Sequence, residues 1–289
     1  MANLKDLRSR ITSVSSTMQI TSAMKMVSAA KLSRAQNAIE DMRPYAEKLN
    51  ELLQSLSASL DSDTNSPYSD EREVNNVLII AISSNRGLAG AFNTNIIKRV
   101  RNLSSEGYPG KSIKILPIGK KAGDILRKSF DMEKSYNTVY DDLSYDAVAE
   151  IAEHLMDLFK THKFDKIELV YNSFKNAATQ IITTEQFLPI KPASQRAGEA
   201  MSKDYIFEPN KAEIVEDLIP KSLKIQLFKA IRDSVASEHG ARMTAMHKAT
   251  DNATELRDDL KLSYNKARQA SITNEILEIV AGAEALSDS

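Results

Sequence analysis

The chain has 289 residues, room for one or two domains with a real core, and no cysteine, which excludes disulfides, thiolate metal sites and cysteine nucleophiles. Charged residues make up 27% but nearly cancel to a net charge of -1, so no bulk attraction to nucleic acid or to a membrane surface is implied. Aromatics are 6% with no tryptophan, low for a base-stacking surface, and the apolar runs fall far short of the roughly 20 residues that a membrane span needs.

The N-terminus carries Asp6 and enters a helical pattern at once, so it does not read as a signal or transit peptide. Steps of three and four alternate through Leu4, Leu7, Ile11, Val14 and Met18, pass Thr21, Lys25 and Ser28, and resume from Leu32 to Leu60. This period predicts a coiled-coil helix over 1–60, about 85 Å long. The three polar positions are consecutive, so the seam is expected to loosen in one section. Pro44 lies inside the helix and is expected to bend it. Residues 61–73 are polar, contain a proline and read as a loop.

The pattern then changes to alternating strands and helices. Strands are predicted at Val77–Ile82, Ile113–Ile118, Lys166–Tyr171 and Thr179–Pro189, the last pairing with the one before it. Helices are predicted at Ala89–Leu103, near Lys120–Lys128 and at Asp146–Thr161. Together they argue for a Rossmann-like α/β domain over 74–208, a small sheet with helices on its faces. Residues 191–205 are polar and loop-like. Asn210 with Glu213 is an N-cap and capping-box signal, opening a segment (209–286) that is helical almost to the end with Pro220 as its one interruption. From Met243 an alanine-rich stripe runs Met246, Ala249, Ala253, Leu256, Leu260, Tyr264, Ala267, Ala270, Asn274, Leu277 and Ala281.

A domain of about 130 residues is roughly 36 Å across. Each terminal helix is about twice that, so neither buries its seam on the domain alone. The economical fold is α/β: a long antiparallel coiled coil of N- and C-terminal helices with the Rossmann-like α/β domain inserted between them. An intermolecular coiled coil is the alternative.

Candidate sites are few. The segment Ser83-Ser84-Asn85-Arg86-Gly87-Leu88-Ala89-Gly90 follows a strand and opens a helix, where phosphates bind, but lacks the dinucleotide fingerprint spacing. A tight turn that needs glycine is the plainer reading. Gly107-Tyr108-Pro109-Gly110-Lys111-Ser112 fails as a P-loop in glycine spacing and in the strand that follows it. His154, His162, His239 and His247 have no metal-ligand spacing, and Asp141-Asp142 and Asp258-Asp259 look like solvated faces. No serine sits in a nucleophile elbow. No catalytic, cofactor or metal site is therefore expected. The first helix is basic (Lys5, Arg8, Arg10, Lys25, Lys31, Arg34, Arg43), either a solvated face or a surface for an acidic protein. Nucleic-acid signatures are missing. Residues 19–31 are small and apolar on most sides, which calls for surroundings, a partner ring or groove rather than core.

Ile20-Thr21-Ser22-Ala23-Met24-Lys25-Met26-Val27-Ser28-Ala29-Ala30-Lys31-Leu32 closely resembles the N-terminal signature of the gamma subunit of F-type ATP synthases. Ser237-Glu238-His239-Gly240-Ala241-Arg242-Met243 and Tyr264-Asn265-Lys266-Ala267-Arg268-Gln269-Ala270-Ser271-Ile272-Thr273-Asn274-Glu275-Ile276 resemble the same family, and the likeness spans the chain. The family's Asp-Arg-Gly-Leu-Cys-Gly turn stands here as Asn85-Arg86-Gly87-Leu88-Ala89-Gly90, and the cysteine-bearing regulatory insert of the chloroplast form is absent. The resemblance implies a non-catalytic rotor shaft inside the alpha and beta subunit hexamer, with epsilon and the membrane c-ring as further partners. It places the chain peripherally at the cytoplasmic face of the bacterial inner membrane. It implies that Met24 faces the acidic lever segment of beta, that Arg242, Gln269 and Thr273 meet a beta catch loop, and that Tyr205 and Glu208 meet the c-ring. No cofactor is implied. A coiled-coil adaptor or chaperone, and a nucleotide-binding enzyme using the Asn85–Gly90 turn, are the alternatives.

Overall fold

The computed structural model describes residues 4–59, 67–190 and 211–287. The chain divides into two compact units, Met1–Ser28 with Met243–Ser289, and Ala29–Arg242. Helix α1 spans Leu4–Ser59 and helix α5 spans Lys211–Ser287.

The larger unit is built on five strands, β1 (Asn76–Ile82), β2 (Ser112–Ile118), β3 (Asp131–Met132), β4 (Lys166–Phe174) and β5 (Gln180–Leu188). Their order is β3-β2-β1-β4-β5, with β1 parallel to both β2 and β4, β3 parallel to β2, and β5 antiparallel to β4. The continuous apolar run of β1 follows from cover on both faces. Val77, Ile79 and Ala81 pack with Ile96, Ile97 and Val100 of α2 (Phe92–Asn102) and with Ala122 and Leu126 of α3 (Lys120–Leu126). Leu78, Ile80 and Ile82 pack on the other side, with Ile151, Leu155 and Phe159 of α4 (Tyr145–Lys160) and with Leu223, Leu227 and Ile231 of α5. Each of the Val, Leu, Ile and Phe side chains here, removed fully from water, contributes about 1.5–3 kcal/mol. Ser144 caps α4, its hydroxyl accepting from the Ala147 amide at 3.3 Å, with Asp146 in the first turn and Lys160 in the last to complement the helix dipole.

The two-residue strand β3 and the short 3₁₀ turn Thr138–Tyr140 are absent from the sequence reading. Pro220 does not interrupt α5, which runs through it as one helix of 77 residues, longer than the 56 of α1. One missing amide bond is outweighed there by Ile219 and Leu223, both buried in the sheet core. The capping-box residue Asn210 lies outside the described residues.

In the smaller unit the two helices pair antiparallel: Thr21 meets Thr250, and Arg257, seven residues further along α5, reaches Met18, three residues back along α1. Every heptad position of α1 with a described side chain, Leu4 to Leu49, is buried or half-buried. The polar section does not loosen the seam: Thr21 is 8% and Ser28 3% exposed. Their hydroxyls are satisfied locally. Ser28 donates to the Met24 carbonyl at 2.7 Å, while the Thr21 and Thr250 hydroxyls share a hydrogen bond at 2.8 Å and lie 3.1 and 2.8 Å from the Met18 and Met246 carbonyls of their own helices. The inward row of α5 differs from the alanine stripe. It runs Met246, Thr250, Ala253, Arg257, Leu260, Tyr264, Ala267 and Ser271, while Leu256 is half exposed. Thr250 turns in because it has a partner hydroxyl, and Arg257 lays its stem on the seam with its guanidinium on Asp258 at 2.8 Å.

Candidate functional site

In a parallel sheet of this order the crevice for ligands opens off the carboxyl ends of β1 and β4, the neighbours whose connections leave in opposite directions. Ser83 and Ser84 follow β1 there, and Asn172 and Ser173 are the last residues of β4 before Phe174 ends it. The turn after β1 is closed on itself. The Ser83 hydroxyl accepts from the Ala122 amide at 3.0 Å, the Ser84 carbonyl from the Lys121 amide at 3.0 Å, and the Asn85 side chain from the Lys120 amide at 3.0 Å. These are the first amides of α3, the donors an anion would use, and each already has an acceptor. Gly119, at φ 99°, passes so close that a Cβ would stand 2.1 Å from the Ser83 carbonyl oxygen. Leu88 (φ 62°) and Gly90 (φ 57°) complete the turn in the left-handed region. It is a structural turn.

Helix α5 occupies the space off this edge. Ser173 donates to Asp233 at 3.3 Å, and Gly240 lies against Ala177 of the β4–β5 turn. Ala241 packs on Ala89 and Phe92 after β1. Arg242 is 8% exposed; it pairs with Glu238 at 2.7 Å and donates to the Gly87 and Arg86 carbonyls at 3.3 and 3.4 Å. Burial pushes the Glu238 carboxyl up, against the pull of Arg242. Burial, reinforced by the Arg242 and Lys31 cations, brings the His239 imidazole down to about 4. Tyr140, its hydroxyl on the Ser83 carbonyl at 2.8 Å, is raised by burial and by Glu238.

The smaller unit has the opposite character. On α1, Ile20, Met26 (64% exposed) and Val27 stand in solvent around a half-buried Met24. On α5, Ile272, Ile276, Leu277, Ile279 (71% exposed) and Val280 are likewise uncovered. Gln269 and Thr273 lie on this exposed stretch, the Thr273 hydroxyl donating to the Gln269 carbonyl at 2.9 Å. Uncovered apolar residues on successive turns of each helix mark surfaces for a protein partner. Tyr205 and Glu208 lie outside the described residues. The histidines do not converge: His162 meets Arg72, His154 the ring of Tyr136, and His247 Asp251 at 3.2 Å. Among the described residues no three His, Cys, Asp or Glu side chains come together to hold a metal ion. No described helix is long and apolar enough to cross a membrane.

Residues 3–286 match the model of the family described as ATP synthase. The ATP synthase gamma chain of Christiangramia forsetii is 71% identical over 286 residues, 99% of both chains, and that of Geotalea uraniireducens is 45% identical over 287 residues, again 99% of both. The chain belongs to the ATP synthase gamma chain family. Gamma chains are stalk subunits and not themselves catalytic; the catalytic sites are on other subunits. The fold agrees with solved structures at lower identity. A chain of the Euglena gracilis mitochondrial ATP synthase (OSCP/F1/c-ring) superposes with a TM-score of 0.73 at 24% identity, covering 98% of this chain and 94% of that one. A chain of the Tetrahymena thermophila mitochondrial ATP synthase central stalk and c-ring does so with 0.60 at 23% identity, covering 80% and 99%.

The resemblance assigns Arg242 of the block Ser237–Met243 to a beta contact, and the structure pairs it with Glu238. The roles of Glu238 and Gly240 in it went unread. A carboxylate four residues before an arginine, the spacing of an ion pair on one helix face, was the available signal.

Proposed function

We propose that this gamma chain is the central rotor shaft of an F-type ATP synthase, carrying proton-driven rotation of a membrane c-ring to the alpha and beta subunits. The observation that supports it is the uncovered apolar surface at Ile20, Met26 and Val27 on α1 and at Ile272, Ile276 and Ile279 on α5, in a chain whose relatives are gamma chains over their full length. Segments 1–60 and 209–286 form the coiled-coil shaft, and 74–208 form the domain beside epsilon and the c-ring. Tyr205 and Glu208 meet the c-ring. Met24, Arg242, Gln269 and Thr273 meet beta. The complex sits at the inner membrane, this chain on its cytoplasmic face.

Each beta subunit samples several conformations, and an asymmetric shaft that touches them unequally favours a different one at each site. Turning the shaft moves that bias from site to site, so nucleotide binding, reaction and release follow rotation. The chemistry stays in beta.

Purification of tagged chain from its own cells should bring alpha and beta in fixed ratio; their absence would sink the reading. Met24→Lys places a cation among Ile20 and Val27, beside an acidic segment of beta. ATP-driven proton pumping per ATP hydrolysed should fall in that variant, and an unchanged ratio would remove Met24 from the contact.

A further inference from the structure

Residues 230–242 of α5 are buried or half-buried at every position, more than three helical turns with no fully exposed residue. A helix covered all round is expected to be apolar, yet this one carries Arg232, Asp233, Ser234, Ser237, Glu238, His239 and Arg242. The exception has a mechanical consequence. Apolar packing is non-directional and lets a helix turn or slide at small cost, whereas hydrogen bonds hold only within narrow angles.

The directional contacts here come from different sides. Arg242, on the face of Glu238, donates to the carbonyls of Arg86 and Gly87 after β1. Gly240 sits about 200° round the helix from Glu238. A Cβ there would lie 3.0 Å from the Ala177 oxygen and 3.3 Å from its Cα, backbone atoms that cannot swing aside. Arg232 donates to the Leu143 carbonyl ahead of α4 at 3.0 Å. Helix α5 is thus gripped between the turn after β1 and the turn after β4. We propose that this grip is the seat through which rotation passes between the α/β domain and α5, with Glu238, Gly240 and Arg242 as the positioning residues that keep the helix from turning or sliding in its socket. The proposal rests on the rotor reading: torque delivered to the domain must reach the helix, and a socket of apolar contacts alone would yield.

The test uses the whole ATP synthase in membrane vesicles carrying Gly240→Val or Glu238→Gln. Valine drives its methyls into the Ala177 backbone. Glutamine keeps the shape of Glu238 and removes the charge that fixes the Arg242 guanidinium. Gamma content per beta, ATP hydrolysis, and ATP-driven acidification per ATP hydrolysed are measured together. Acidification per ATP is expected to fall about threefold or more in Gly240→Val and less in Glu238→Gln, with content and hydrolysis within about twofold of the parent. A second arm joins Ala177→Cys and Gly240→Cys, the only cysteines the chain would then hold, at positions where a Cβ on residue 240 stands 3.3 Å from the Ala177 Cα. Oxidation should restore acidification per ATP and reduction should lower it, which a folding role alone would not produce. Unchanged acidification per ATP in assembled variants overturns the seat. So does a loss that merely tracks lost gamma content, or a cysteine pair indifferent to oxidation. If the parent chain fails to co-purify with alpha and beta, it is the rotor reading that falls.

Discussion

Two stretches of α5 invert the usual relation between polarity and cover. Residues 230–242 are enclosed and hold an ion pair, an aspartate and two serines, whereas residues 272–280 stand in solvent and hold three isoleucines, a leucine and a valine. Ordinary soluble helices bury the second kind of surface and expose the first. The difference shows what each stretch is for. Buried polar groups such as Glu238 and Arg242, whose partners come from the same chain, favour one position, since a shift breaks those bonds. Exposed apolar groups have their partner elsewhere, and their non-directional contacts can be made and broken as surfaces pass one another.

The sharpest way to break this comparison is to remove one half of the enclosed ion pair. Glu238→Ala leaves the Arg242 guanidinium buried with carbonyl acceptors but no counter-charge, which should cost about 3 kcal/mol of unfolding free energy. Chemical denaturation of the isolated chain reads this directly, and a loss under about 1 kcal/mol would mean the pair does not hold the seat.

Acid tests the same enclosure. The His239 imidazole is held at about 4 against an ordinary 6.5, so the folded chain binds fewer protons than the unfolded one between those values. Stability is therefore fully present above about 6.5 and lost as pH falls toward 4. Discounted for the partial exposure of the ring, the loss between pH 7 and pH 5 should be roughly 1 kcal/mol. Glu238, whose pKa is raised, works in the opposite sense, so the control is His239→Gln. That variant should melt with a flatter pH dependence than the parent, and an equally steep one would place the histidine in water.

Much of the fold was legible because its causes are local or periodic. Strand β1 carries a continuous apolar run, β2 and β4 carry runs broken by a single charged residue, and the α1 seam keeps its period through its polar section. The inward row of α5 was misjudged by one position, because Ala249 and Leu256 are apolar while Thr250 and Arg257 turn inward for a hydroxyl partner and for a long stem. Strand β3 is two residues long and has no period to read. The seat was illegible for a deeper reason. Its cover comes from turns after β1 and β4, more than sixty residues away in sequence, and nothing in Ser237–Arg242 itself announces that Ala177 and Gly87 will close on it.

Within the helix pair, Thr21→Val tests whether the polar section sets register. The Thr250 hydroxyl keeps the Met246 carbonyl, so only the bridge across the pair is lost, at about 0.5–1 kcal/mol. The sharper readout is register. A polar residue in a seam holds one alignment against others, so crosslinks from cysteines introduced at Met18 and Arg257 should spread to neighbouring positions in the variant. A single unchanged crosslink would assign register to the apolar positions alone.

The smallest effect is expected where apolar exposure is greatest. Ile276→Asp with Ile279→Asp changes side chains that are 55% and 71% exposed, so the isolated chain should unfold within about 0.5 kcal/mol of the parent for each change. In the assembled enzyme the same carboxylates would have to leave water against a partner surface, which is costly without a counter-charge. Recovery of the chain with alpha and beta should therefore fall while its melting stays put. Glu238→Ala reverses the order, losing stability before any partner is present. If the double aspartate variant were as destabilised alone as Glu238→Ala, the exposed end would belong to the fold and not to the interface, and the contrast between the two stretches would collapse.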